Sequence, residues 1–204
     1  MRFIGAFILW IAIFIVAGAI FIWSGAYDVA ADTQHWPATR YLVGALREHS
    51  IAQRSHGVAV PNLDNAAMVK EGAEHYAEMC SGCHLAPGMD DSEIRHGLNP
   101  RPPNLTRFAP DPAEAFWIIK HGIRMTGMPA WGPTHDDNKI WAMVAYLQKQ
   151  PKMGADEYRQ LTADAAHEHE HGMEGETQMP MPATSPPVPA PAASTPPSPA
   201  SSAH

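Results

Sequence analysis

An uncharged apolar run near the amino terminus constrains the fold of this chain most strongly. Residues Phe3 to Trp23 carry no charged side chain. About 20 such residues, at 1.5 Å per residue, can cross the roughly 30 Å hydrocarbon layer of a membrane as one helix. Tyr27 follows its outer end, where aromatic rings favour the interface, and Arg2 favours a cytoplasmic start. We therefore expect residues 1–26 to be a transmembrane anchor, with the rest of the chain facing the periplasm.

A cleaved signal peptide is the alternative interpretation of this run. The small residues Ser24, Gly25 and Ala26 resemble a cleavage site. Signal peptides, however, usually have apolar regions of about 7–15 residues. The length of the run favours an uncleaved anchor.

The carboxyl end has a very different composition. After residue 161 the chain has five of its 21 acidic residues and no Lys or Arg. Most of the net charge of -7 therefore comes from this end of the chain. Its His/Glu/Met-rich and Pro/Ala/Ser-rich stretches cannot bury enough apolar surface to order themselves. We predict a disordered tail over residues 161–204. The remaining chain is nearly balanced in charge and lacks the clustered Lys and Arg that nucleic acid requires.

Residues 27–63 form a spacer between the anchor and the predicted domain. Leu42, Val43 and Leu46 give it a short helical stripe before Gly57 and Pro61 interrupt the pattern. The stripe fits a connecting helix, and it also fits a helix on the membrane surface.

Residues 64–160 should form one all-α domain, because three segments have helical patterns and none predicts paired strands. The first helix should run from Asp64 to Cys80. The second should run from Pro112 to His121, with the proline at its first position. The third should open at a capping box over residues 134–137 and end before Pro151, which cannot continue a helix.

The chemistry of the domain centres on Cys80-Ser81-Gly82-Cys83-His84. These are the only two cysteines of the chain, and C-x-x-C-H is the attachment signature of a c-type haem. We predict that Cys80 and Cys83 bond one haem c covalently and that His84 is an axial ligand of its iron. A thioredoxin-like pair would sit in a βαβ pattern, and a structural zinc site would need further ligands at characteristic spacing. Haem attachment outside the cytoplasm and a membrane anchor together indicate a bacterial inner (cytoplasmic) membrane protein.

A second axial ligand is expected from the far side of the haem, where a Met thioether raises the reduction potential. Of the eleven Met residues, Met128 is the best candidate, because Gly127 lets the backbone approach and Pro129 fixes the loop. Met125 is the main competitor.

The domain resembles class I c-type cytochromes from about residue 64 to residue 151. The residues that carry this resemblance are Gly72, Tyr76, Cys80, Cys83, His84, Pro103, Asn104, Leu105, Gly127, Met128, Pro129, Trp141 and Tyr146. The whole layout is similar to membrane-anchored monohaem cytochromes of bacterial respiratory chains.

The resemblance implies two structural expectations. The first and last helices should cross at near right angles, with Gly72 and Tyr76 against Met143 and Tyr146. The Pro103 carbonyl should accept a hydrogen bond from Nδ1 of the axial histidine and so fix its tautomer.

Three functions are compatible with these features. The first is a non-enzymatic electron carrier, with a redox donor and acceptor that are membrane respiratory complexes. The second is a haem sensor or haem enzyme subunit, which would need a distal acid–base group such as His121 or His135. The third is copper binding by the tail, because imidazole and thioether ligands suit copper. The candidate copper ligands are His167, His169 and His171.

Overall fold

The computed structural model describes residues 2–163, and every regular element in that range is helical. The elements are α1 (Arg2–Ser24), α2 (Pro37–Ser55), α3 (Ala66–Met79), α4 (Ser81–His84), α5 (Glu93–Gly97), α6 (Pro112–His121), α7 (Asp137–Lys149), a 3-10 turn (Gln150–Lys152) and α8 (Ala155–Leu161). The all-α prediction is confirmed for this part of the chain. The predicted disordered tail lies outside the described residues, apart from its first few positions.

Helix α1 contains the one segment of the described chain, Phe3–Ser24, that is long and apolar enough to cross a membrane. An uncharged helix of this length suits a bilayer because its backbone groups bond each other within the helix. A signal sequence passes the same test of length and composition, so the choice of an uncleaved anchor stays a prediction.

Helix α6 has the bounds that the sequence predicts. Asp111 caps it, with its Oδ1 accepting hydrogen bonds from the backbone N–H groups of Ala113 and Glu114, each at 3.0 Å. Pro112 follows at the first helical position, where its missing N–H costs no helix hydrogen bond.

Helix α3 begins two residues later than predicted. Asn65 is its cap, and its Oδ1 accepts from the backbone N–H of Ala67 at 2.9 Å. Asp64, the predicted start, instead forms an ion pair with Lys149 at 2.5 Å. The helix ends at Met79, one residue before its predicted end.

The predicted capping box at the start of α7 is also wrong. Asp136 is the cap, and its side chain accepts from the backbone N–H groups of Asn138 and Lys139. Thr134 lies too early, and its hydroxyl donates to the Trp131 carbonyl at 3.2 Å.

The core of the domain forms where α3 packs against α7. A Cβ added to Gly72 would lie only 1.9 Å from the carbonyl oxygen of Ala142, so the two backbones touch at this point. One turn along, the rings of Tyr76 and Tyr146 are 5.0 Å apart. Gly72 and Tyr76 therefore lie against Met143 and Tyr146, as the resemblance implies.

Helices α6, α8 and α2 complete the domain. Phe116 of α6 stacks on Trp141 with ring centroids 4.2 Å apart, and Tyr158 and Leu161 of α8 pack against the same core. Helix α2 packs against α6 and buries Ile51 and Ser55.

Candidate haem site

The two cysteines lie where α3 ends and the short helix α4 begins. Cys80 is the residue between these helices, and its carbonyl accepts from the backbone N–H groups of Cys83 and His84 at 3.1 and 2.8 Å. This turn keeps both thiols and the imidazole within one compact segment. No disulfide joins the cysteines, and burial raises the pKa of the Cys80 thiol to about 12.

The loop around Pro103 holds His84 in place. Its Nδ1 lies 3.0 Å from the Pro103 carbonyl oxygen, and the backbone N–H of Leu105 donates to the His84 carbonyl at 3.2 Å. A carbonyl oxygen only accepts, so Nδ1 carries the proton and Nε2 keeps a free lone pair. Burial lowers the pKa of the imidazole, which favours this neutral form.

Two buried hydrogen bonds hold Leu85, the residue after His84, and the sequence analysis did not predict them. Leu85 has a positive φ of 63°. Its carbonyl accepts from the hydroxyl of Tyr76 at 2.6 Å and from the side-chain amide of Gln150 at 3.2 Å. Burial raises the pKa of Tyr76 far above its usual range, so the hydroxyl remains a donor. A polar residue just before the proline that ends α7 was the only available signal for Gln150.

A second set of contacts, also missed, holds the loop that contains Pro103. The guanidinium of Arg95 in α5 donates from Nε to the Pro102 carbonyl at 3.0 Å and pairs with Asp91 at 2.8 Å. Arg101 pairs with the same carboxylate. The hydrogen bond from Arg95 and the charge of Arg101 hold the pKa of Asp91 below its usual range. No sequence motif marks this cluster.

The two candidate methionines differ sharply in their surroundings. Met125 has a positive φ of 60°, and 89% of it is exposed. Met128 is partly buried against the hydrophobic core. Its carbonyl accepts from the backbone N–H of Ile123 at 3.1 Å, and its own N–H donates to the Thr126 hydroxyl at 3.1 Å. These bonds close the loop and fix the backbone of Met128 beside Ile123 and Thr126.

Gly122 permits the loop to return so closely. It has a φ of +65°, and a Cβ at this position would lie 2.8 Å from the Met128 carbonyl oxygen and 2.7 Å from the Pro129 carbonyl carbon. Both the positive φ and the lack of space require glycine here. Beyond Met128 the loop stays attached to the end of α6, because the backbone N–H of Trp131 donates to the Ile119 carbonyl at 3.0 Å.

The remaining candidate histidines make packing contacts. The ring of His135 lies edge-on to those of Trp131 and His75, at 5.5 and 5.6 Å. His121, the last residue of α6, lies against Trp117 at 5.0 Å. Among residues 2–163 no group of three or more His, Cys, Asp or Glu could hold a metal ion, and His167, His169 and His171 lie outside the described residues.

The donor set of this region fits a covalently bound haem. Two thiols are available for thioether bonds, and the neutral imidazole of His84 has its Nε2 free. A thioether lies in a separate loop that is anchored to the same core. Residues 67–147 match the family model described as cytochrome C oxidase, cbb3-type, subunit III. The match runs from the first turn of α3 to near the end of α7 and includes Cys80, Cys83, His84 and Met128.

Proposed function

Residues 67–147 form a c-type cytochrome domain that carries covalent haem c, and from this premise we propose that the chain is a membrane-tethered electron carrier. It passes single electrons between periplasmic or membrane-bound redox partners. The observation that supports this best is the hydrogen bond between His84 and Pro103, because it leaves Nε2 of the imidazole as a free ligand. When bound, the haem supplies a one-electron redox couple.

In this proposal, Cys80 and Cys83 hold the haem through two thioether bonds and His84 is one axial ligand. The Pro103 carbonyl orients the imidazole, and by accepting a hydrogen bond from Nδ1–H it makes Nε2 a stronger donor. Arg95 holds the loop that supplies this carbonyl. The cysteines therefore retain the cofactor, while the Pro103 loop orients the His84 imidazole and makes it a stronger ligand.

Met128 is the proposed second axial ligand. Its partial burial against the core and the closed loop around it support this choice, whereas the exposed side chain of Met125 argues against that residue. A thioether opposite a histidine raises the reduction potential and fills the coordination site that a gas or peroxide would need. The chain thereby favours electron transfer over ligand chemistry.

The proposed location is the bacterial inner membrane, crossed once by α1, with the cytochrome domain in the periplasm. The length and composition of Phe3–Ser24 support the anchor, and Arg2 supports a cytoplasmic amino terminus. The matched family is described as an oxidase subunit. We therefore propose membrane respiratory complexes as electron donor and acceptor. A tether raises the effective concentration of the domain near such complexes.

Carbon monoxide binding to the reduced full-length protein tests this function. If Met128 occupies the iron site, the reduced spectrum should not change on the mixing timescale, and a redox titration should follow one single-electron wave. Rapid carbon monoxide binding by the native protein would instead support a haem sensor or enzyme. Separately, calorimetry with copper should compare the intact chain with one ending at Leu161. Equal uptake by the two would exclude a copper site in the tail.

A further inference from the structure

We propose that the first half of α2 lies in the headgroup layer of the membrane, so that this helix holds the haem domain in a fixed orientation above the bilayer. The contact surface is the α2 apolar face, defined as Leu42 and Leu46. This inference rests on the proposed anchoring of α1.

The start of α2 is attached to the outer end of α1. Trp36 caps α2, and its ring lies 6.0 Å from that of Phe21 in α1 and 5.2 Å from that of Tyr27. Phe21 lies in the last turn of the segment that can span a membrane. At about 1.5 Å per residue, Leu42 and Leu46 are only about 9 and 15 Å along the helix from Trp36. The α2 apolar face therefore begins beside the boundary of the hydrocarbon layer.

The α2 apolar face points away from the haem domain. Ile51 and Ser55 are the buried residues of α2, which packs against α6. The step from Leu42 to Ile51, like that from Leu46 to Ser55, is about two and a half turns of a helix with about 3.6 residues per turn. The two pairs thus lie on opposite sides of the helix.

These apolar side chains are strongly exposed within the described chain. Leu42 and Leu46 are each 69% exposed. Farther along the same side of the helix, the exposed residues become His49 and Gln53. An exposed connecting helix should be polar along its whole solvent side. Here only the half next to α1 is apolar, which fits a helix that leaves the lipid surface after its first turns.

The charge of α2 favours lipid as the occupant of this face. The helix contains Arg40, Arg47 and Arg54 but only one acidic residue, Glu48. Amphipathic helices with apolar residues on one face and basic residues on the polar face bind anionic bilayers in the plane of the interface. If a protein partner covered this face, the apolar half of α2 would not need to be the half nearest α1.

Such a contact would fix the haem domain and not merely tether it. The other side of α2 packs on α6, and α6 leads through Gly122 into the Met128 loop. The Asn99 side chain also donates to the Thr33 carbonyl at 2.8 Å, which ties the turn before α2 to the domain. One side of the domain would then always face the bilayer.

Spin labelling of the full-length holoprotein in phosphatidylethanolamine–phosphatidylglycerol vesicles tests the proposal. Single cysteines replace Leu42, Leu46, Gln53 or Ala17, and each added thiol takes a nitroxide because the haem uses the native ones. Relaxation by lipid-soluble oxygen is compared with relaxation by a water-soluble nickel chelate. The oxygen-to-nickel ratio at positions 42 and 46 should exceed that at position 53 at least about threefold, because lipid excludes the chelate.

The label at position 17 separates failure of this inference from failure of the anchoring. If position 17 is inaccessible to nickel but positions 42 and 46 match position 53, α1 spans the bilayer and α2 stands clear of it, which overturns the proposal. Protection of positions 42 and 46 from both reagents would indicate a protein contact and would also overturn it. Nickel access at position 17 would overturn the anchoring and this inference together.

A matched pair of variants tests whether the apolar side chains cause the contact. A nitroxide on Leu42→Cys should lose most of its oxygen preference when Leu46→Gln is added. Val60→Gln removes an exposed apolar residue beyond α2 and should leave that preference unchanged. If the glutamine in the α2 apolar face and Val60→Gln change the oxygen preference equally, the α2 apolar face does not cause the contact and the proposal is overturned.

Discussion

Gly72→Ala should strongly destabilise the cytochrome domain, because it places a methyl group against the backbone of α7. The new Cβ would lie 1.9 Å from the Ala142 carbonyl oxygen, 2.3 Å from its carbon and 2.9 Å from the Met143 nitrogen. Ordinary contacts begin at 3.4 Å, so the two helices must separate by about 1.5 Å. Val144, Ala145 and Tyr146 of α7 are fully buried, so this movement disturbs the centre of the core.

The size of the effect follows from two opposing terms. Overpacking a core costs about 1–3 kcal/mol, and a clash with backbone belongs at or above the upper end of that range. The better helix propensity of Ala returns at most about 1 kcal/mol. A net loss of about 2 kcal/mol or more should lower the Tm by about 8–16 °C or more for a domain of this size.

Thermal unfolding of the holoprotein, followed by far-ultraviolet circular dichroism and by haem absorbance, measures this change. Gly44→Ala is the matched control, because Gly44 is also helical and a Cβ there meets nothing within 4 Å. Its Tm should stay the same or rise slightly. If Gly72→Ala unfolds at the wild-type temperature or above, α3 and α7 do not meet at this glycine, and the argument from close backbone approach is refuted.

Three further perturbations test the site. Met128→Ala should lower the reduction potential and allow carbon monoxide to bind the reduced iron. It should also abolish the weak charge-transfer band at the red edge of the absorption spectrum, which reports iron–thioether bonding, whereas Met125→Leu should retain this band. The reverse result would exchange the two ligand assignments. Cys83→Ala should lose the doubly linked haem and most of the stable holoprotein, and normal accumulation of a stable haem-free helical domain would contradict this. Asp91 has a pKa below its ordinary value of 3.8, so its stabilising effect is complete above that pH and is lost as the pH falls through the lower folded pKa. In Asp91→Asn the free energy of unfolding should therefore fall less steeply as the pH drops below about 4. The same steepness in variant and wild type would refute a stabilising role for the contacts with Arg95.

The sequence by itself determined the features that depend on neighbouring residues. The apolar run of α1, the bounds of α6 and the C-x-x-C-H segment could all be predicted, because helix length, a capping Asp111 before Pro112 and the spacing of two thiols are local properties. The expected contact of Gly72 with α7 came from family resemblance and not from any local rule.

The tertiary structure decided what depends on residues distant in the chain. Asn65 and not Asp64 caps α3, since Lys149 draws the Asp64 carboxylate away. Gln150 reaches the Leu85 carbonyl only because the end of α7 packs beside the segment that follows His84. Met128 and Met125 lie on the same short loop, and closure of that loop against α6 partly buries Met128 and leaves Met125 exposed. Sequence patterns specify which local structures form, but burial and hydrogen bonding between separate segments are fixed only when the chain folds together.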